Sequence, residues 1–149
     1  MLKALMACLL GMLCVAARAA SNCQPVGGTI STNFLDPATT FGSATGDLAG
    51  GIGVTVLTLT ANPDGTLTFH NQHHWVTESG DTIFLGAADV TAIPTFVPGL
   101  LAANYPNIPV LGGTGRFAGA HGSITAFGAV DMNQGHIILR YQGNISFAQ

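Results

Sequence analysis

The densest run of chemically capable side chains is His70-Asn71-Gln72-His73-His74-Trp75. Imidazoles, amides and an indole can ligate a metal, move a proton or orient a ligand. Which of these applies depends on the backbone beneath them. Residues 66–77 (TLTFHNQHHWVT) alternate with the period of a strand. Leu67, Phe69, Asn71, His73 and Trp75 then share one face, and Thr66, Thr68, His70, Gln72 and His74 share the other. On that backbone His70 and His74 stand roughly 13 Å apart, too far for one metal ion, and His73 points the opposite way. The pattern predicts no metal site. It predicts instead that Asn71 and His73 sit between Phe69 and Trp75 as polar groups in an apolar pocket, a recipe for orienting a small ligand. A buried His and Asn satisfied by backbone partners is the alternative.

A second alternating run, 136–147 (HIILRYQGNISF), is the cleanest in the chain. Ile137, Leu139, Tyr141, Ile145 and Phe147 share one face, with Gly143 among them. His136, Arg140, Gln142, Asn144 and Ser146 share the other. Tyr141 therefore joins Phe69, Asn71, His73 and Trp75 as a candidate ligand-binding residue. The pattern identifies no catalytic residue.

These runs need a scaffold. Strands are predicted at 27–34, 40–48, 51–61, 66–77, 82–92, 107–112, 121–130 and 136–147. Asn62-Pro63-Asp64-Gly65 carries Pro second and Gly fourth, a type I turn preference. Glu78-Ser79-Gly80-Asp81 and Asn133-Gln134-Gly135 close two further hairpins. Hairpins join antiparallel neighbours, so the sheet is a meander, and eight strands suffice to close a barrel around a filled core or one small ligand. The fold class is all-β: a single eight-stranded antiparallel up-and-down barrel. Its many strand glycines mark sharp bends and bulges. The stretch 93–106 breaks the rhythm with Pro94, Pro98 and Pro106. It is predicted to be a long connection covering a barrel end, with one helical turn over Leu100 to Asn104.

Composition narrows the function. The chain has 149 residues, 48% hydrophobic and 7% charged, which suits one globular domain and excludes disorder. Its cations are Lys3, Arg18, Arg116 and Arg140, too few and too scattered for nucleic acid. Residues 1–19 read as a signal peptide: Lys3, an apolar run from Leu5 to Val15, and an Ala17-Arg18-Ala19 cleavage site. The run is short of the roughly 20 residues a membrane span needs. The expected product is a secreted or periplasmic domain over 20–149. It keeps Arg116 and Arg140 against seven acidic residues, which disfavours acidic partners and anionic membranes. Both arginines are expected to pair with carboxylates. Cys23 is then alone, either a stray thiol at a flexible end or half of an intermolecular bridge. Asn144-Ile145-Ser146 matches a glycosylation sequon on a strand and is read as chance. P-loop, dinucleotide, zinc and nucleophile-elbow motifs are missing, so no cofactor is expected.

Leu111-Gly112-Gly113-Thr114-Gly115-Arg116-Phe117-Ala118-Gly119-Ala120-His121-Gly122 resembles the signature hairpin of the allene oxide cyclase-like and dirigent-like barrels, in particular their secreted bacterial-type members. Gly42 to Leu48 (GSATGDL) resembles the same group. The resemblance covers about half of the chain after the signal, in separated segments. It implies an eight-stranded barrel with a lumen for a hydrophobic small molecule, and homo-oligomers. It implies no catalytic residue here, because the buried Glu of the cyclases has no counterpart: Glu78 falls in a turn. The resulting expectation is a ligand-binding barrel whose partner is a small hydrophobic molecule. A cyclase or isomerase acting by confinement is the first alternative, and a structural barrel with a filled lumen the second.

Overall fold

The computed structural model describes residues 22–148; the predicted signal peptide and its cleavage site lie outside them. Nine hydrogen-bonded segments follow in order: β1 (Asn22–Asp36), β2 (Thr39–Ala44), β3 (Gly50–Ala61), β4 (Leu67–Thr77), β5 (Thr82–Leu85), β6 (Ala88–Pro94), β7 (Leu100–Gly113), β8 (His121–Asp131) and β9 (His136–Phe147). Each pairs antiparallel with its neighbours, and β1 pairs with β9 from Asn22↔Phe147 to Asn33↔His136. That last pairing closes the meander. β5 and β6 lie end to end between β4 and β7, so nine segments make eight staves. Among the described residues every stave therefore has a hydrogen-bonded neighbour on both sides, although β3 beyond Thr55 pairs only with β4.

Alternation decides what fills the interior. Inward side chains such as Ile30, Ile52, Trp75, Val90, Ile124 and Leu139 are buried. The hairpin connections 45–49, 78–81 and 114–120 gather at one end. The connections 37–38, 62–66, 95–99 and 132–135 gather at the other. Among the described residues no helix is long and apolar enough to cross a membrane.

The first end is plugged. The 45–49 connection folds into it, leaving Leu48 fully buried. Thr45 N–H donates to the Thr29 carbonyl at 2.8 Å, and Asp47 N–H to the Gly27 carbonyl at 3.1 Å. Gly28 permits this approach, because a Cβ there would collide with the Thr45 carbonyl oxygen and the Tyr141 ring. The Leu48 end of the predicted 40–48 strand is thus a plug rather than a strand.

Two further expectations are corrected. The predicted 82–92 strand is interrupted at Gly86-Ala87, where the partner of β7 changes from β5 to β6. The 93–106 stretch contains no helical turn. Only Thr95–Gly99 connects, and Leu100 onward belongs to β7. Pro106 does not break that strand, because Pro106 and Asn107 occupy a register shift between Tyr105 and Ile108. A bulge leaves a ladder position unpaired, and proline has no N–H to pair. Ala103, Tyr105, Ile108 and Val110 remain buried on either side of it.

Candidate functional site

Strand β4 supplies the centre of the site. Its alternation turns Phe69, Asn71, His73 and Trp75 into the lumen, where Asn71, His73 and Trp75 are buried and Phe69 is half-buried. All four line a cavity of about 100 Å³. Trp75 forms its floor. The indole Nε1–H donates to the Leu48 carbonyl at 2.8 Å, and the ring meets Tyr141 edge-on at 5.2 Å. Phe34, Pro37, Leu101 and Met132 line its outer part, and Pro37 and Met132 are exposed, so this end is the mouth.

Tyr141 has a different place from the other four candidates. It lies below Trp75 and is not part of the cavity wall. Its hydroxyl donates to the Thr45 carbonyl at 2.8 Å and accepts the Leu48 N–H at 3.0 Å. Tyr141 therefore ties down the plug.

The cavity wall is apolar apart from Thr32, Thr40, Asn71, His73 and Tyr105, and none of its lining side chains is charged. Asn71 Nδ2 donates to the Tyr105 hydroxyl at 2.6 Å. The His73 and Tyr105 rings meet edge-on at 5.1 Å. Three buried atoms on this wall, Thr40 Oγ1, Asn71 Oδ1 and His73 Nδ1, have no hydrogen-bond partner among the described residues. The expected alternative of a fully satisfied buried His and Asn is therefore not what the barrel contains. Burial pushes the His73 imidazole down to about 4, with His74 adding to the effect. Burial pushes the Tyr105 hydroxyl up to about 12 against the opposing hydrogen bond from Asn71. Both groups are uncharged at neutral pH.

The gap between β5 and β6 faces the same point on β4. β4 pairs with β5 from His74 onward and with β6 up to Asn71, so Gln72 and His73 lack a ladder partner on that side. Gln72 Nε2 fills the gap by donating to the Leu85 carbonyl at 2.9 Å and the His73 carbonyl at 3.1 Å.

The outward histidines do not join the site. His70 Nδ1 lies 2.7 Å from Asp89 Oδ1 across the β4–β6 pairing, and His74 is exposed. Among the described residues no three His, Cys, Asp or Glu side chains converge as metal ligands would.

Sequence reasoning missed Tyr105 and Thr40. Tyr105 lay in the proline-interrupted stretch read as a connection. The alternation of Leu101, Ala103 and Tyr105 was the available signal, and all three line the cavity. Thr40 belonged to a predicted strand, but a Thr among small residues carries little facing information.

The expected ion pairs of the arginines are also corrected: neither forms one among the described residues. Arg116 stacks over Phe117 at 4.6 Å and donates from Nη2 to the Asp47 carbonyl at 3.0 Å. That contact joins segments 42–48 and 111–122 at the plugged end, away from the cavity. Phe117 from the second segment is fully buried there. Cys23 is exposed, but on β1 opposite Ser146 rather than at a flexible end.

No family model matches the chain, and neither does any curated protein sequence. Solved structures similar to it over most of its length include two dirigent proteins. The pterocarpan synthase dirigent protein GePTS1 shares 15% identity at a TM-score of 0.35, covering 87% of this chain and 86% of its own. The pterocarpan synthase dirigent protein PsPTS1 also shares 15% identity at a TM-score of 0.35, covering 85% of this chain and 96% of its own.

Proposed function

We propose that the protein binds a small apolar molecule in its barrel lumen, outside the cytoplasm. The observation that carries this reading is the cavity itself. An apolar lumen left unfilled forfeits packing contacts, so a barrel selected only for stability would fill it. The volume of about 100 Å³ is of the order that takes a ring-sized ligand, since an engineered apolar cavity of about 150 Å³ binds benzene. The same observation counts against a structural barrel with a filled lumen.

The ionisable groups favour binding over acid–base catalysis. A general base or acid works best with a pKa near the operating pH. Burial moves His73 and Tyr105 away from neutrality in opposite directions. Any rate effect would have to come from confinement, as the cyclase or isomerase alternative requires.

Export rests on the signal-like residues 1–19, which lie outside the described residues. Homo-oligomerisation belongs to the same reading. Phe41, Phe84 and Leu111 are more than half exposed on the outer wall, where a second copy would cover them.

Native mass spectrometry of the protein purified from its own host tests the proposal, followed by solvent extraction. The expected result is a mass excess that organic solvent removes, together with saturable quenching of Trp75 fluorescence by added apolar molecules. A clean apo mass with no fluorescence response to any of them would overturn it.

A further inference from the structure

We infer that the occupant of the lumen is an uncharged molecule carrying a hydroxyl group, which it presents to Asn71 and His73 above the Trp75 floor. The inference rests on the lumen-binding reading and names the chemistry of the ligand. It starts from the three buried polar atoms without partners. Leaving such an atom unsatisfied opposes folding, so a native barrel with several on one cavity wall calls for a complement.

The chemistry of the atoms selects that complement. Asn71 Oδ1 can only accept, because its Nδ2 is the atom that donates to Tyr105. The ligand group must therefore donate. Tyr105 accepts from Asn71, which leaves its own hydrogen free to donate to a ligand oxygen. His73 Nδ1 donates or accepts according to its tautomer. A hydroxyl satisfies this set when Nδ1 carries its proton: its one hydrogen goes to Asn71 Oδ1, and its two lone pairs receive Nδ1–H and the Tyr105 O–H. A ketone or ether has no hydrogen for Asn71. A carboxylate has none either, and no cation lines the cavity to neutralise it. An ammonium would lack a carboxylate partner.

Position supports the same conclusion. Asn71 and His73 are 4% and 5% exposed, so bulk water does not serve them. Thr40 lies in the cross-strand row Thr40–Val54–His73, so its free hydroxyl faces the same level of the lumen. Around this level the wall is Val54, Leu85 and Ile108, which suits a hydrocarbon ring or chain.

Isothermal titration calorimetry on the full purified protein tests this with matched probes. The pairs are phenol against toluene and cyclohexanol against methylcyclohexane, with benzoate as the anionic comparison. At least one hydroxylated probe is expected to bind about tenfold more tightly than its hydrocarbon partner. The arm that shows this tells an aromatic from an alicyclic alcohol. In Asn71→Leu the advantage is expected to vanish while the hydrocarbon still binds. Should that variant not fold, the wild-type ratio decides, with His73→Leu as the second variant. Equal binding within both pairs would overturn the inference and leave the lumen reading standing, with water serving the three atoms. Benzoate binding more tightly than phenol would overturn the inference as well. Binding of none of the probes would remove the lumen reading and the inference together.

Discussion

His73 couples the stability of the barrel to pH in a way that one substitution isolates. Its imidazole titrates at about 4 in the folded barrel against 6.5 in an exposed chain, chiefly because burial penalises the cation. Between those values the unfolded chain holds a proton that the folded barrel refuses. Stability therefore rises with pH across this window. The full contribution is present above 6.5 and is lost as pH falls towards 4. At about 1.4 kcal/mol per pH unit, the gap is worth about 3 kcal/mol. With urea slopes of about 1–3 kcal/mol/M, that moves the unfolding midpoint by on the order of 1–3 M between pH 7 and pH 4. Trp75 is the single tryptophan and reports unfolding directly. The comparison is with His73→Leu, which keeps an apolar side chain of similar bulk in the wall. At pH 7 this variant should be as stable as wild type or more so, because it removes a buried nitrogen with no partner. The other four histidines are present in both proteins. Parallel midpoints for the two proteins from pH 7 to pH 4 would refute the claim that His73 is held neutral by burial.

Other perturbations separate the plug from the cavity. Trp75→Phe removes the donor to the Leu48 carbonyl and should destabilise by about 1–3 kcal/mol, read by far-UV circular dichroism during urea unfolding. An unchanged midpoint would mean the indole does not hold the plug. Tyr141→Phe strands the Leu48 N–H and should lower stability by about 1–3 kcal/mol while leaving probe affinity in the lumen unaltered. A selective loss of binding without loss of stability would put Tyr141 in the cavity after all. Gly28→Ala drives a methyl group into the Thr45 carbonyl and should cost at least about 2 kcal/mol in thermal or urea unfolding, an expectation that wild-type behaviour contradicts. A lumen ligand at 100 times its Kd should stabilise by about 2.7 kcal/mol, and no rise in Tm would show that it does not bind the folded barrel in preference to the unfolded chain.

Much of the site was legible because a strand has a strict period of two. Once 66–77 is a strand, Phe69, Asn71, His73 and Trp75 must share a face, and an apolar majority turns that face inward. The same rule on 136–147 put Tyr141 inward, which is correct as to side. Facing, however, says nothing about depth. Tyr141 lies below Trp75 because the 45–49 connection folds into that end, a contact across 93 residues of chain between Leu48 and Tyr141. Tyr105 was hidden by the prolines around it. A proline removes an N–H from a ladder, but a bulge tolerates that loss, and only the pairing partner shows where the bulge falls.

Local patterning alone thus settles the all-β meander, its main hairpins and the inward faces of β4 and β9, because alternation and turn chemistry act between residues close in sequence. The barrel's closure, the depth of each inward side chain and the unfilled volume are different. They arise where β1 meets β9, where Gly28 admits Thr45, and where Arg116 meets Asp47. The segments with the most distinctive sequence, 42–48 and 111–122, prove to close the plugged end. The cavity is built from common apolar residues and a few polar ones. Its character depends on which of their hydrogen bonds the surrounding strands leave unmade. That balance is a property of packed neighbours, and it appears only when the eight staves are assembled.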